Sequence, residues 1–589
     1  ILFKSRFLMS ENNSFNKSFF LLGLVILLVL PELNNVHYDP QPQFWAEITV
    51  AWAILGLFVF TLLYMNTISI PLITLPLAML AIYLCLQQYI VPIDYPGLNY
   101  VAGLELFICI LIAIAINTFK NTYGIRFIVN RICYALLIGA ILQSLIGFIQ
   151  YTGSTNYFGN MIFYDSSHPT TNIFGHFGQR NHYAHYLSWG SFALIYLFQQ
   201  RRIKANIFYP LLMWFSFSLT ISASRSVFIY FGLALIISAI YFIRRRDSQS
   251  KHLLQIMFIA TIALFAFEYF YPLIHKLFTT HNNFSSGLGR LDSDSGTGRR
   301  GVEWDKAWMT FKEYPIFGIG WNEYTKNGVK LHYLFPNAAL NSGLFTNCHN
   351  LVLQLLAETG IIGTAIVIGG IGLSIYRLLK HNSGVESIIL LCMAATTLAH
   401  SMNEYPLWYM YFLSGLIIFL SMDKPWIKVS AKPIIAISIL PVCGLVYLII
   451  TGSLIFDKMV DYYDTPDDQK SFNRQAKYLQ NLVDNNLLWS YHAAYTFDNY
   501  INVDTDFTDA LYPLKTQYEY THKFDSYHPY PDTLIKEAML DWNLGNKTDA
   551  ERLVKLAVLT FPVYNSNFRD TLQDKRYRQL YNLVPKVNK

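Results

Sequence analysis

The sequence predicts an all-α polytopic membrane protein with about 13 transmembrane helices, and three observations carry that expectation. Of 589 residues, 53% are hydrophobic and only 14% charged, which is outside the usual composition of a soluble globular domain. Thirteen segments have the ~20 mostly apolar residues that a bilayer-crossing helix needs. They lie at 19–33, 44–64, 69–88, 101–118, 130–150, 183–199, 206–221, 225–243, 253–272, 354–376, 386–402, 405–422 and 432–454. Lys and Arg also concentrate in alternate connections, as the positive-inside rule requires.

In chain order, the basic connections carry Lys4, Arg6 and Lys17 ahead of the first segment, then Lys120, Arg126 and Arg131, then Arg201, Arg202 and Lys204. Arg244, Arg245, Arg246 and Lys251 follow, then Arg377 and Lys380, then Lys424, Lys428 and Lys432. The opposite connections at 34–43, 89–100 and 403–404 have no Lys or Arg, and 151–182 has only Arg180. The N-terminus is therefore expected inside and the C-terminus outside. PELNNVHYDP after the first segment lacks a small-x-small cleavage pattern, so that segment reads as an uncleaved anchor. The net charge of +6 is accounted for by these anchors, and it is not read as a nucleic-acid signal. Cys85, Cys109, Cys133, Cys392 and Cys443 fall in apolar segments, which leaves Cys348 near the outer face and no disulfide framework or CxxC site.

Three regions follow: a membrane body over 1–454, a large outer loop over 273–350 within it, and an outer tail over 455–589. The loop opens with HNNFSSGLGRLDSDSGTG, whose composition predicts mobility. It becomes helical at GVEWDKAWMTFKEY, where Val302, Trp304, Trp308 and Phe311 fall at near-helical spacing before Pro315 stops the pattern. In the tail, residues 530–562 read as helix, Gly-Asn turn, helix, with Ala538, Leu540, Ala550, Leu553, Leu556 and Ala557 available for a shared seam. This is similar to one tetratricopeptide unit. A helical-repeat-like domain and an unrelated small helical domain both stay open.

Chemistry-bearing residues gather at the outer helix junctions. His349, in GLFTNCHNLVLQLLAETGIIG (343–363), puts an imidazole where water meets membrane, able to accept a proton from an attacking hydroxyl; the alternative is that His349 or Asn350 caps the following helix. Arg299 and Arg300, just after Asp294 and flanked by glycines, offer planar donor forks suited to pyrophosphate, or are solvated loop charges. Arg225 lies in ISASRSVF between two apolar segments, where an unpartnered charge is costly, unless it snorkels to headgroups. GHFGQRNHYAHYL packs Gln179, Arg180, Asn181, His182 and His185 together. No carboxylate or third ligand stands at metal-binding spacing there, so a hydrogen-bonding site for sugar or phosphate is expected, with no metal and no cofactor. HSMNEYPLWYMYF adds His400, Asn403, Glu404 and Tyr405, either as acceptor-side groups or as interfacial aromatics and a helix-terminal carboxylate.

Two of these stretches, 343–363 and GRRGVEWDKAWMTFKEYPIFGIGW (298–321), resemble the signature of the O-antigen ligase and bacterial O-oligosaccharyltransferase superfamily, and FGHFGQRNHYAHYL (174–187) narrows the resemblance to its PglL-like members. The resemblance implies a GT-C-like, metal-independent, inverting glycosyltransferase in the bacterial inner membrane, its site facing the periplasm. It would transfer an oligosaccharide en bloc from undecaprenyl diphosphate to Ser or Thr of periplasmic or pilin-like proteins. His349 would activate the acceptor; Arg225 and Arg300, or Arg299, would bind the diphosphate; and Gln179, Arg180, Asn181, His182, Glu404 and Tyr405 would contact glycan, donor or acceptor. Gln179 stands where the usual pattern favours Asn. The expected partners are the lipid-linked donor, an acceptor protein and the bilayer, with no nucleic acid. An O-antigen ligase using lipid A core, a glycan polymerase and a membrane transporter are the alternatives. The last is disfavoured because Glu47, Glu105, Arg225, Glu268, His400 and Glu404 map close to outer helix ends rather than to helix centres.

Overall fold

A computed structural model describes residues 2–278, 297–335, 343–382, 384–501, 503 and 511–586. Asp294 and the Ser/Gly-rich run up to residue 296, with its expected mobility, lie outside the described residues.

Each of the thirteen apolar segments contains a helix. In order these are α1 (Leu2–Leu28), α2 (Phe44–Tyr64), α3 (Thr74–Gln87), α4 (Gly97–Tyr123), α5 (Ile125–Tyr151), α6 (Arg180–Gln199), α7 (Ala205–Ile221), α8 (Ser226–Arg245) and α9 (Ser248–Phe278). The 273–350 loop supplies α10 (Thr297–Glu313) and α11 (Tyr324–Lys330), and the body resumes with α12 (Leu351–His381), α13 (Val385–Ser401), α14 (Met410–Leu420) and α15 (Ala431–Asp461). Eight of the described helices are long and apolar enough to cross a bilayer, and α3, α7, α13 and α14 are apolar but shorter. This is a multi-pass membrane protein. Helix α6 is the polar exception. Every residue from His182 to Leu197 is buried, so α6 meets neighbouring helices rather than lipid and can carry histidines and serines.

Two segments depart from the expected helices. Residues 67–70 form a strand, β1, antiparallel to β2 (Ile427–Ser430) with Thr67 opposite Ser430; the β-branched run Thr-Ile-Ser-Ile ends at Pro71, so the following helix starts only at Thr74. The 405–422 segment yields an 11-residue helix because Pro406–Trp408 form a 3₁₀ turn ahead of it.

The 298–321 and 343–363 motifs clasp each other. Helix α12 is broken at Gly360, whose φ of 62° leaves the helical region. Against the break lies the loop segment after α10: Ile319 N–H donates to Ala357 O (3.0 Å), Gly320 N–H to Glu358 O (3.1 Å) and Ile361 N–H to Pro315 O (2.9 Å). A Cβ on Gly318 would stand 2.3 Å from the Glu358 carbonyl carbon, and one on Gly360 2.2 Å from Ile316 O, so only glycine permits this approach. Gln87 of α3 locks the clasp, donating to Phe317 O (2.9 Å) and Glu358 O (2.7 Å).

Helix α10 forms where the sequence predicts it, yet its buried face is not the aromatic one. Trp308 is 46% exposed, while Glu303 and Lys306 are buried as an ion pair (2.7 Å) with Tyr324 OH donating to Glu303 (2.7 Å).

The tail comprises α16 (Gln469–Asn485), α17 (Ser490–Phe497), α18 (Leu514–Asp525), α19 (Pro531–Leu544), α20 (Lys547–Thr560), α21 (Asn565–Thr571) and α22 (Arg578–Tyr581). The expected seam between α19 and α20 is present, with Ala538, Leu540, Ala550, Leu553 and Ala557 buried and left-handed Gly545 (φ 93°) at the turn. Phe456 and Met459 carry α15 into a core with Leu479, Phe497 and Phe524, joined by Phe44 and Tyr95 of the body. The tail meets the loop where His332 Nδ1 stands 3.0 Å from Thr560 Oγ1, and the loop meets the 88–96 connection through Lys326 and Asp94 (2.7 Å). Loop and tail therefore share one face of the helix body.

Candidate functional site

Four chain segments converge on that face. The first is the entry to α6, where Gly178 (φ 70°) turns the chain and Gln179 takes extended backbone at the N-cap. The second is the tight α7–α8 turn, with Ala223 in the left-handed region (φ 52°) ahead of Ser224 and Arg225. The third is the start of α12. There Asn350 is the cap, its Oδ1 accepting from Leu353 N–H (3.1 Å), so His349 is released from capping. His349 instead holds a left-handed backbone (φ 58°), supported by its N–H donating to Asn347 Oδ1 (2.8 Å); a non-glycine residue there is uncommon and costs energy. The fourth is the α13–α14 junction bearing Glu404 and Tyr405.

Glu404, only 4% exposed, is the hub. Its Oε1 accepts from the Arg300 guanidinium and from Asn181 Nδ2 (3.0 Å), and its Oε2 lies 2.8 Å from His349 Nδ1. Ser224 Oγ donates to Asn181 Oδ1 (2.8 Å). A buried carboxylate with one partner would be unfavourable, whereas one with its oxygens fully engaged is tolerated. Burial pushes its carboxyl up, but the hydrogen bond and charge of His349, then the charge of Arg300, outweigh burial and hold it below the ordinary carboxylate range. Because a carboxylate only accepts, His349 Nδ1 carries the hydrogen of this contact, which leaves Nε2 as the ring nitrogen that faces away from Glu404. The imidazole is 18% exposed and packs edge-on to Tyr405 at 5.3 Å between ring centroids.

Beside this hub lies a polar cleft of about 380 Å³ whose lining includes Gln179, Arg180, Asn181, Arg225 and Arg300. Three guanidinium groups from three elements face it, and α6 and α8, each 20 residues long, begin at its wall. Helix N-termini present free N–H groups and positive potential to anions, so the cleft offers an anion both hydrogen-bond donors and positive charge. Arg180 is oriented by donating to Asn172 Oδ1 (2.9 Å). Of the arginine pair, Arg300 lines the cleft and Arg299, exposed on the first turn of α10, does not.

The sequence-predicted residues thus divide. His349, Arg225, Arg300, Gln179, Arg180, Asn181, Glu404 and Tyr405 come together. His182 does not line the cleft: it is buried against Tyr409 and Phe412, beside a pair in which His185 Nδ1 and His400 Nδ1 stand 2.9 Å apart. Ser224 and Asn172 were missed. Ser224 adjoins Arg225, but nothing local marks its bond to Asn181, 43 residues away.

Family models match most of this architecture in pieces. The O-antigen ligase model matches residues 210–368, which hold Arg225, Arg300 and His349. The model for the C-terminal part of virulence factor membrane-bound polymerases matches 388–574, with Glu404 and Tyr405. The protein glycosylation ligase model matches 173–198, with Gln179 to His182. A protein of Acinetobacter baylyi (strain ATCC 33305 / BD413 / ADP1) named general O-oligosaccharyltransferase is 26% identical over 400 residues, 67% of each chain.

Proposed function

We propose, for a chain that belongs with the PglL-like O-oligosaccharyltransferases of the O-antigen ligase superfamily and is thus a glycosyltransferase, that it transfers an oligosaccharide en bloc from undecaprenyl diphosphate to Ser or Thr of periplasmic or pilin-like proteins. It works in the inner membrane, crossing it with about 13 helices, and its site faces the periplasm. Arg225, Arg300 and Arg180 hold the diphosphate in the cleft, with the N-termini of α6 and α8 adding to the positive potential. His349 Nε2 takes the proton of the acceptor hydroxyl as its oxygen attacks the anomeric carbon. The bond from that carbon to the diphosphate oxygen breaks, its electron pair leaves with the diphosphate, and the guanidinium groups stabilise the charge that develops. Attack in line with the leaving group inverts the anomeric centre.

One observation carries the reading: a single carboxylate, Glu404, holds the imidazole on one oxygen and Arg300 on the other. The group that deprotonates the acceptor and a group that meets the donor's charge are thereby fixed relative to each other. Gln179 and Tyr405 border sugar and acceptor, and Asn181, with both ends of its amide engaged, positions Glu404. The match to the protein glycosylation ligase model supports a protein acceptor over lipid A core.

The test is mass spectrometry of periplasmic proteins from cells with and without this chain, supplied with a lipid-linked glycan. The expected result is glycan on Ser or Thr only when the chain is present. Glycan found only on lipid A core would replace this reading with the ligase one.

A further inference from the structure

The 27-residue helix α5 reaches about 40 Å. One end supports the candidate site, where Gln150 Oε1 accepts from Gly175 N–H (2.9 Å). At its other end, on the opposite face of the body, is a second basic cleft of about 360 Å³. Arg126 and Arg131 enter it from α5 and Arg202 from the α6–α7 connection, with Tyr123 and Tyr134 on its rim. Lys17 Nζ stands over the Tyr123 ring at 5.5 Å, and the Arg131 guanidinium lies 4.7 Å over the Phe127 ring. Among the described residues one carboxylate pairs with these four cations: Glu386 Oε1, 2.9 Å from Arg126 Nε. Two polar atoms at the cleft are buried without a hydrogen-bond partner among the described residues, Arg131 Nε, a donor, and Asn130 Oδ1, an acceptor.

Topology anchoring accounts for basic residues on this face, but not for their convergence on a cleft or for a buried donor and acceptor left unmatched inside it. Anionic oxygens of a ligand would meet the guanidinium groups that line the cleft, and a hydroxyl would offer the Asn130 amide a partner. The aromatic rings place the cleft at the level where apolar helices end, the zone of lipid headgroups. We propose that this cleft binds the phosphodiester headgroup of an anionic, hydroxyl-bearing membrane phospholipid, on the face opposite the glycan-transfer site. The occupant is a lipid rather than free phosphate because the cleft opens at the bilayer boundary and its aromatic rim can pack on the glycerol and upper acyl chains.

The experiment uses the full chain in detergent and reads its thermal unfolding during titration with phosphatidylglycerol, phosphatidylcholine or inorganic phosphate. Phosphatidylglycerol should raise the unfolding temperature saturably, and the other two should not. Arg131→Gln/Arg202→Gln should weaken the half-saturating concentration by about five-fold for each arginine removed, from the usual worth of a basic residue near an anionic lipid surface. Arg202→Glu, at an exposed side chain, should retain the parent's fold in phosphatidylcholine and still lose the response, so the test survives if the double variant unfolds. Equal stabilisation by both lipids, or an unchanged phosphatidylglycerol response in Arg202→Glu, would return these residues to anchoring. Stabilisation by inorganic phosphate alone would overturn the lipid as occupant.

Discussion

A single histidine and a cluster of three lie close together on this face and differ in exposure and in hydrogen-bond partner. His349 is partly exposed and faces a carboxylate at 2.8 Å. His182, His185 and His400 are buried together, with His185 bonded to His400 and to Thr397 (3.1 Å) and, among the described residues, no carboxylate hydrogen-bonded to any of the three. An imidazole becomes a directed base when an anion fixes its tautomer and stabilises the cation formed on proton uptake. Imidazoles surrounded by aromatic rings and one another gain packing and hydrogen bonds. The difference teaches that the second group, not the ring, assigns the chemistry.

The comparison breaks first at His349→Ala, expected to lower glycan transfer roughly 100- to 10,000-fold with the unfolding temperature little changed. His349→Asn should be equally inactive, since Asn350 already caps α12; near-parental transfer by the Asn variant would make His349 structural. Glu404→Gln should cost about 100-fold or more, because the amide cannot supply the charge that stabilises the imidazolium. It also sharpens the electrostatic claim. The Glu404 carboxyl is held below its ordinary value, so its contribution to stability is complete above the unfolded value of about 4.3 and is lost as pH falls through the lower folded value. Unfolding temperature measured below about pH 4.3 should therefore fall more steeply in the parent than in Glu404→Gln, and parallel curves would refute the depressed carboxyl.

Arg225→Ala and Arg300→Ala should then weaken use of the lipid donor about ten-fold or more, and the Lys variants should recover only part, since ammonium lacks the planar fork. Kinetics against donor concentration decide this; unchanged donor dependence in both Ala variants would assign the arginines to the bilayer surface. His185→Phe should destabilise the fold by ~1–3 kcal/mol, the usual cost of stripping a buried hydrogen-bond partner, yet preserve transfer per folded molecule. A large loss in folded protein would erase the contrast between the two groups. The smallest effect belongs to Ser224→Ala, where losing one hydrogen bond to Asn181 predicts a change of about five-fold, from ~1 kcal/mol. No change in transfer rate would remove Ser224 from the chain of contacts leading to His349.

Much of this was legible in the sequence because it is periodic or local. The apolar segments, α10 and the α19–α20 seam follow from spacing, and the arginines and His349 stand in short recognisable patterns. What escaped depends on distant partners. The strand at 67–70 needs the partner at 427–430 to exist. The break at Gly360 lies within a helical segment and is stabilised by a segment some 40 residues earlier. Trp308 satisfies helical spacing, yet the buried side of α10 carries Glu303 and Lys306 beside Val302 and Ala307, because Tyr324 and Lys306 are there to satisfy Glu303. Glu404 reads as a helix-terminal carboxylate until Arg300, Asn181 and His349 meet on it.

The clasp at Gly318 and Gly360 also has a mechanical meaning. It welds the lower end of the short helical piece 351–359 to the chain leaving α10, so the imidazole at the top of one and Arg300 at the top of the other stand on a common strut footed on Gln87. Any displacement of this strut would carry imidazole and guanidinium together and keep their separation.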